Sequence, residues 1–292
     1  MSVIAAEPAL RPAKPRGAQL RRFARRNPTI IAGSAILTII ALLAIFAPLF
    51  AGDAITMQPA LRLRPPSETN WFGTDHLGRD VFARTVYGAQ ISLYVGIAVA
   101  AMSILGGLFI GLLSGYFRRV DAVVMRLMDG LMAIPAILLA IALVALTRTS
   151  VSTVIIAITV PEIPRVVRLV RAVVLSVREA PYVEAAIAGG TPTWKILIRH
   201  ILPNTIAPLI VQATYICASA ILIEAALSFL GAGTPPEIPT WGNMIAQSRL
   251  FLSRAPWTIF CPGIALALVV LAVNLLGDGL RDRLDPRLAR RM

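Results

Sequence analysis

The hydrophobic pattern of this chain comes in long blocks rather than short alternations. Residues 29–52, 91–117, 201–223 and 255–277 run without a single Asp, Glu, Lys or Arg, and each exceeds the ~20 apolar residues that cross a bilayer as a helix. Two further blocks are interrupted by charge. Residues 123–146 carry Arg126 and Asp129 near their start and are otherwise apolar, which predicts a tilted helix with its charged end at the interface. Residues 151–170 contain Glu162 between Pro161 and Pro164, with Arg165, Arg168 and Arg171 following at three-residue spacing. A carboxylate inside a span marks a functional site by default. The favoured reading here is a charged helix end kinked by proline, its arginines reaching to water.

The pattern therefore predicts an all-α, polytopic membrane protein with six transmembrane helices. Residues 1–28 form a basic tail, 29–52 the first span, 53–90 an extracytoplasmic loop, 91–279 a five-helix core with a cytoplasmic loop at 181–203, and 280–292 a second tail. Block 29–52 is longer than the ~7–15 residues of a signal-peptide core and is followed by further spans, so it reads as a retained anchor. Composition agrees: 57% of residues are hydrophobic and 15% charged, with a mean hydropathy of +0.75, against roughly 25% charged in soluble domains.

The net charge of +13 changes the picture only through its distribution. With the N-terminus inside, the inside segments hold 21 Lys and Arg and the outside segments 7, which places both termini and the 181–203 loop in the cytoplasm. That asymmetry explains the charge without nucleic acid, for which no basic helix carries interleaved aromatics. The arginines between Arg11 and Arg26 either lie against the anionic inner leaflet or only enforce topology.

Gly107, Gly111 and Gly115 recur every fourth residue in the second block, with Gly106 beside them. They mark a helix face for close packing, which in lipid depends on small residues; lining of a substrate path by the same face stays open.

The 181–203 loop has its own logic. Residues 184–189 suit a short helix, and Gly190 suits its end because glycine adopts positive φ without a Cβ clash. Thr191 as N-cap and Pro192 in the first turn then restart a helix. In it Trp194, Leu197, Ile198 and Ile201 fall on one stripe, away from Lys195 and Arg199. Such a helix-turn-helix is either a docking element for another protein or a plain membrane-surface hairpin.

Here the chain resembles a known family. Glu184-Ala185-Ala186, Gly190 four residues after the second Ala, and Leu202-Pro203 resemble the EAA loop of the membrane subunits of ATP-binding-cassette importers; His200 stands where an apolar residue is usual. The stretches 71–80, 87–93, 228–245 and 277–286 resemble the second, C-type permease subunit of the dipeptide, oligopeptide and nickel importers, so the resemblance spans about 25–287.

The resemblance implies a type I-like transmembrane domain paired with a homologous permease subunit in a heterodimer. Two ATP-binding subunits would sit on the cytoplasmic face, and an extracytoplasmic substrate-binding protein would deliver cargo. It implies that Glu184, Ala185, Ala186, Gly190, Leu202 and Pro203 couple to the ATPases. The outer loop with Pro235, Pro236, Trp241, Gly242 and Asn243 would serve the gate or docking. Trp241 would offer a stacking surface or an interfacial anchor, and Asn243 an amide for backbone-rich cargo. The implied cargo is a di- or oligopeptide, with nickel or another small solute as the alternative.

Catalytic chemistry is not predicted. The chain has no Gly-x-Ser-x-Gly, His-Glu-x-x-His or phosphate-loop motif, and its two lysines, Lys14 and Lys195, follow Ala13 and Trp194 rather than glycine. Any ATPase must be another polypeptide. Cys217 and Cys261 lie inside apolar blocks and read as packing residues, while His76 and His200 have no ligand spacing and suit surface or capping roles. No cofactor or metal is expected. Asp75 would cap a short interfacial helix in the 73–80 turn. An ion-coupled secondary transporter would need midplane acids and paired repeats; only Glu162 and Glu224 qualify by position, and no repeat is evident. A membrane scaffold without transport is the third reading.

Overall fold

A computed structural model describes residues 27–147 and 149–284; the two predicted basic tails lie, beyond those limits, outside the described residues. Among the described residues the main helices are α1 Pro28–Ile45, α2 Val81–Tyr116, α3 Arg118–Ala133, α4 Ala136–Ala145, α5 Val151–Arg178, α6 Pro181–Ala188, α7 Leu202–Phe229, α8 Trp241–Ser248 and α9 Trp257–Leu284. Among the described residues extended pairing is limited to one isolated bridge, Thr74 with Asp80. α1, α2, α7 and α9 are long and apolar enough to cross a membrane, and the α3–α4 pair supplies a fifth candidate span. α5 is too charged to qualify by composition, and counting it gives the expected six.

Two elements differ from the sequence expectation. α2 starts at Val81, so residues 81–90 belong to a 36-residue helix rather than to the outer loop. Asp80 caps it, its carboxylate accepting from the Phe82 amide at 2.9 Å, and Ala83, Arg84 and Val86 are buried beneath the 53–80 segment rather than facing lipid. The expected single tilted helix at 123–146 is instead a pair bent by 89°. Pro135 has no amide hydrogen and holds Ile134 in an extended conformation, φ −92° and ψ 129°.

In α5 Glu162 is buried mid-helix, while the side chains of Arg165 and Arg168 stay exposed. The helix runs unbroken through Pro161 and Pro164, and Glu162 is 1% exposed, with Arg165 3.4 Å away. Packing and ion pairing hold this helix despite its prolines. Arg168 reaches Asp129 of α3 at 2.6 Å, and Arg171 grips both oxygens of Asp121 at 2.5 and 2.7 Å.

The glycine stripe fits against α5. A Cβ on Gly107 would lie 2.4 Å from that of Val166, on Gly111 2.7 Å from that of Val170, and on Gly115 2.7 Å from that of Val174. Val166, Val170 and Val174 are fully buried there, so shape rather than a hydrophobic drive brings the helices together in lipid. Cys217 is a free thiol packed between the two larger apolar clusters.

Candidate functional site

The 181–203 segment projects from the bundle between α5 and α7. α6 ends at Gly190, φ +74°, in a Schellman motif: Thr191 N–H donates to Ala186 O and Gly190 N–H to Ile187 O, both at 3.0 Å. Val183 is buried and anchors the helix, whereas Glu184, Ala185 and Gly190 are exposed and Ala186 is half-buried. The restart differs from expectation. Pro192, not Thr191, is the N-cap, with no side-chain cap bond, and one turn at Thr193–Lys195 passes into a π-helical turn, Ile196–Ile201.

That winding changes the apolar face. Wider turns bring residues five apart into line, so Ile196 and Ile201 are buried together, while Trp194 and Ile198 of the predicted stripe are 60% and 58% exposed. Tyr182 and Ile187 are exposed as well. Lys195 lies over the Trp194 ring at 5.4 Å, and Asn204 ties the segment to its root by donating to Tyr182 Oη at 3.3 Å and His200 O at 2.6 Å. Half-buried Leu202 and exposed Pro203 open α7. The result is a surface with exposed aromatic, aliphatic and charged side chains.

At the other end, residues 231–248 fold back on α7. Gly231, φ +83°, ends α7 with a second Schellman motif, Ala232 N–H to Leu227 O at 2.8 Å and Gly231 N–H to Ser228 O at 3.1 Å. Trp241 is not a stacking surface or an interfacial anchor: it is fully buried, donates through Nε1 to Thr85 O at 3.0 Å, and lies against Gly88 of α2. Asn243 is likewise turned inward, its amide donating to Thr234 O, Thr234 Oγ1 and Pro235 O at 2.9 to 3.0 Å. A Cβ on Gly242 would strike Ala225 Cα at 2.6 Å. These three residues fix the loop's shape; half-buried Pro235 and exposed Pro236 form its outer rim.

Glu224 is the residue that sequence reasoning left without a role here. It is fully buried in α7, and its Oε1 accepts from Ser228 Oγ at 2.9 Å, Thr240 Oγ1 at 3.0 Å and Thr234 Oγ1 at 3.5 Å. Its signal was an acid within an apolar helix with Ser228 one turn on. A second buried cluster joins this loop to residues 53–80. Asp75 accepts from Arg79 Nε at 2.7 Å, with Arg84 Nε 3.8 Å away, and Arg79 Nη2 donates to Gln247 Oε1 at 2.8 Å. Asp75 thus holds arginines, and Asp80 does the capping expected of it. His76 stacks on Phe251 at 5.4 Å; burial, opposed by Asp75 and aided by Arg79, lowers its pKa.

Comparison with known proteins matches this architecture. Residues 103–290 match the family described as binding-protein-dependent transport system inner membrane component, and residues 17–66 match the N-terminal TM domain of oligopeptide transport permease C. A probable peptide ABC transporter permease protein of Sinorhizobium fredii is 59% identical over 92% of this chain and 93% of its own. The oligopeptide transport system permease protein of Bacillus subtilis is 38% identical over 91% and 88%. The fold resembles that in an inward-facing methionine ABC transporter structure, with TM-score 0.55 and 20% identity over 69% of this chain and 96% of that one. With six membrane helices, a projecting helical loop and these matches, the chain belongs to the family of binding-protein-dependent transport system inner membrane components, in its C-type permease branch.

Proposed function

We propose that this chain is one of two permease subunits of an ATP-driven importer that carries di- or oligopeptides across the cytoplasmic membrane. Two separate ATP-binding subunits drive it, and an extracytoplasmic binding protein delivers the cargo. The observation that carries the coupling role is the 181–203 segment, a rigid, partly apolar surface that leaves Glu184 and Gly190 exposed. Movement of an ATPase beneath this surface would pass through Leu202 and Pro203 into α7 as a rigid-body input and alternate the access of the path. Peptide cargo is supported by the peptide, dipeptide and oligopeptide permeases among the relatives of this chain.

The test is reconstitution of the four membrane-associated subunits with their binding protein in vesicles. Glu184→Lys reverses a charge on the docking face, and it should lower ATP-dependent peptide uptake by about tenfold, ~1.4 kcal/mol, with the complex still assembled. Normal uptake by that variant would remove the coupling role. Loss of nickel uptake on deletion, with peptide uptake intact in cells lacking another peptide importer, would move the cargo to the metal branch.

A further inference from the structure

At the end of the bundle that carries the 181–203 segment, α5, α7 and α9 enclose an open cavity of about 700 Å³, lined by Leu169, Asn204, Pro208, Gln212, Arg281 and Leu284 among others. We infer that this cavity is a binding site for the C-terminal end of a peptide within the permease, with Arg281 taking the carboxylate and Gln212 and the Asn204 carbonyl pairing with the peptide main chain. The inference rests on the importer reading above.

Several observations point the same way. The volume lies within the ~300–1,000 Å³ of small-ligand pockets. Gln212 places an amide inside an apolar helix and finds no partner among the described residues; polar side chains within spans mark substrate paths. Pro208 has no amide hydrogen, so the Asn204 carbonyl lacks its ordinary helical donor four residues on. Arg281 is exposed at the mouth and has no ion-pair partner among the described residues. A guanidinium binds a carboxylate by paired, charge-assisted bonds. A phosphate headgroup would use the cation through its anionic oxygens, whereas a peptide presents carboxylate, N–H and C=O together. The cavity offers partners for all three.

The experiment uses the complex of both permeases and both ATPases in nanodiscs, without binding protein, and tritiated trialanine as probe. Wild type should bind trialanine saturably, and trialanine amide should compete about tenfold more weakly, since it lacks the charge that Arg281 recognises. Arg281→Gln should weaken trialanine alone and bring the two peptides level; Gln212→Leu should weaken both. Absence of saturable binding by wild type, or an acid-to-amide ratio that survives Arg281→Gln, overturns the inference. So does a ratio unchanged by Arg281→Gln while the variant loses activity only in phosphatidylglycerol nanodiscs, which assigns the cavity to an anionic lipid. ATP-dependent peptide uptake by the wild-type system, measured separately, tests the importer reading: uptake without binding at this cavity sinks only the present inference.

Discussion

At the scale of single residues, Gly190 separates conformation from contact. A Cβ at this position would meet nothing within 4 Å, yet φ is +74°, so Gly190→Val acts on the backbone alone, at a cost of about 1–2 kcal/mol. Uptake should fall while the variant inserts and assembles normally, and Gly190→Asn, which tolerates left-handed geometry better, should keep more activity. Equal uptake by the valine and asparagine variants would show that the turn's handedness does not matter. This glycine was legible because a helix stop is a local event. Trp241 was not: tryptophan in a proline-rich loop reads as an interfacial anchor, and its burial depends on Gly88 of α2, far away in sequence. Trp241→Ala should therefore lower thermal stability in detergent by about 3–5 kcal/mol equivalent, with lost uptake following lost fold. Glu224 shows the same limit, since its hydroxyl partners Thr234 and Thr240 come from a loop that only folding brings back onto α7.

At the scale of elements, the α2–α5 contact is the firmest link between pattern and packing. The four-residue glycine period was visible in the sequence, but the partner was not, because every apolar helix of the bundle offers β-branched residues. The structure pairs Gly111 with Val170. Gly111→Val should thus overpack the interface and destabilise the subunit by about 1–3 kcal/mol. Adding Val170→Ala should recover part of that loss, because it vacates the volume the new side chain needs. A double variant no more stable in detergent melting than Gly111→Val would mean the faces do not meet. Other element features escaped sequence reasoning for local physical reasons. The start of α2 carries Arg84, which reads as loop until the 53–80 segment supplies Asp75 beside it. The π-helical turn at Ile196–Ile201 shifts the buried face by one position from an ideal helical stripe.

At the scale of the whole molecule, block length and charge asymmetry combine into a topology that can be checked directly. Six membrane crossings would return the C-terminal end to the side of the N-terminus, and the excess of Lys and Arg, 21 against 7, predicts that this side is the cytoplasm. The sensitive step is the α3–α4 pair, bent by 89°. If it crosses, the 181–203 segment lies inside and the 231–256 segment outside. If it dips in and returns on one side, every later segment changes sides. Single cysteines distinguish these outcomes in a background with Cys217 and Cys261 replaced by serine. Thr193→Cys sits on the projecting loop and Glu237→Cys on the exposed outer rim. A membrane-impermeant maleimide should label Glu237→Cys in intact cells and Thr193→Cys only in inside-out vesicles. The reversed result would identify α3–α4 as re-entrant and place the Glu184 surface beyond the reach of cytoplasmic ATPases. Labelling of both positions from one side would mean that α7 does not cross, which its 28 residues and apolar composition make the least compatible arrangement with a bilayer core of roughly 30 Å.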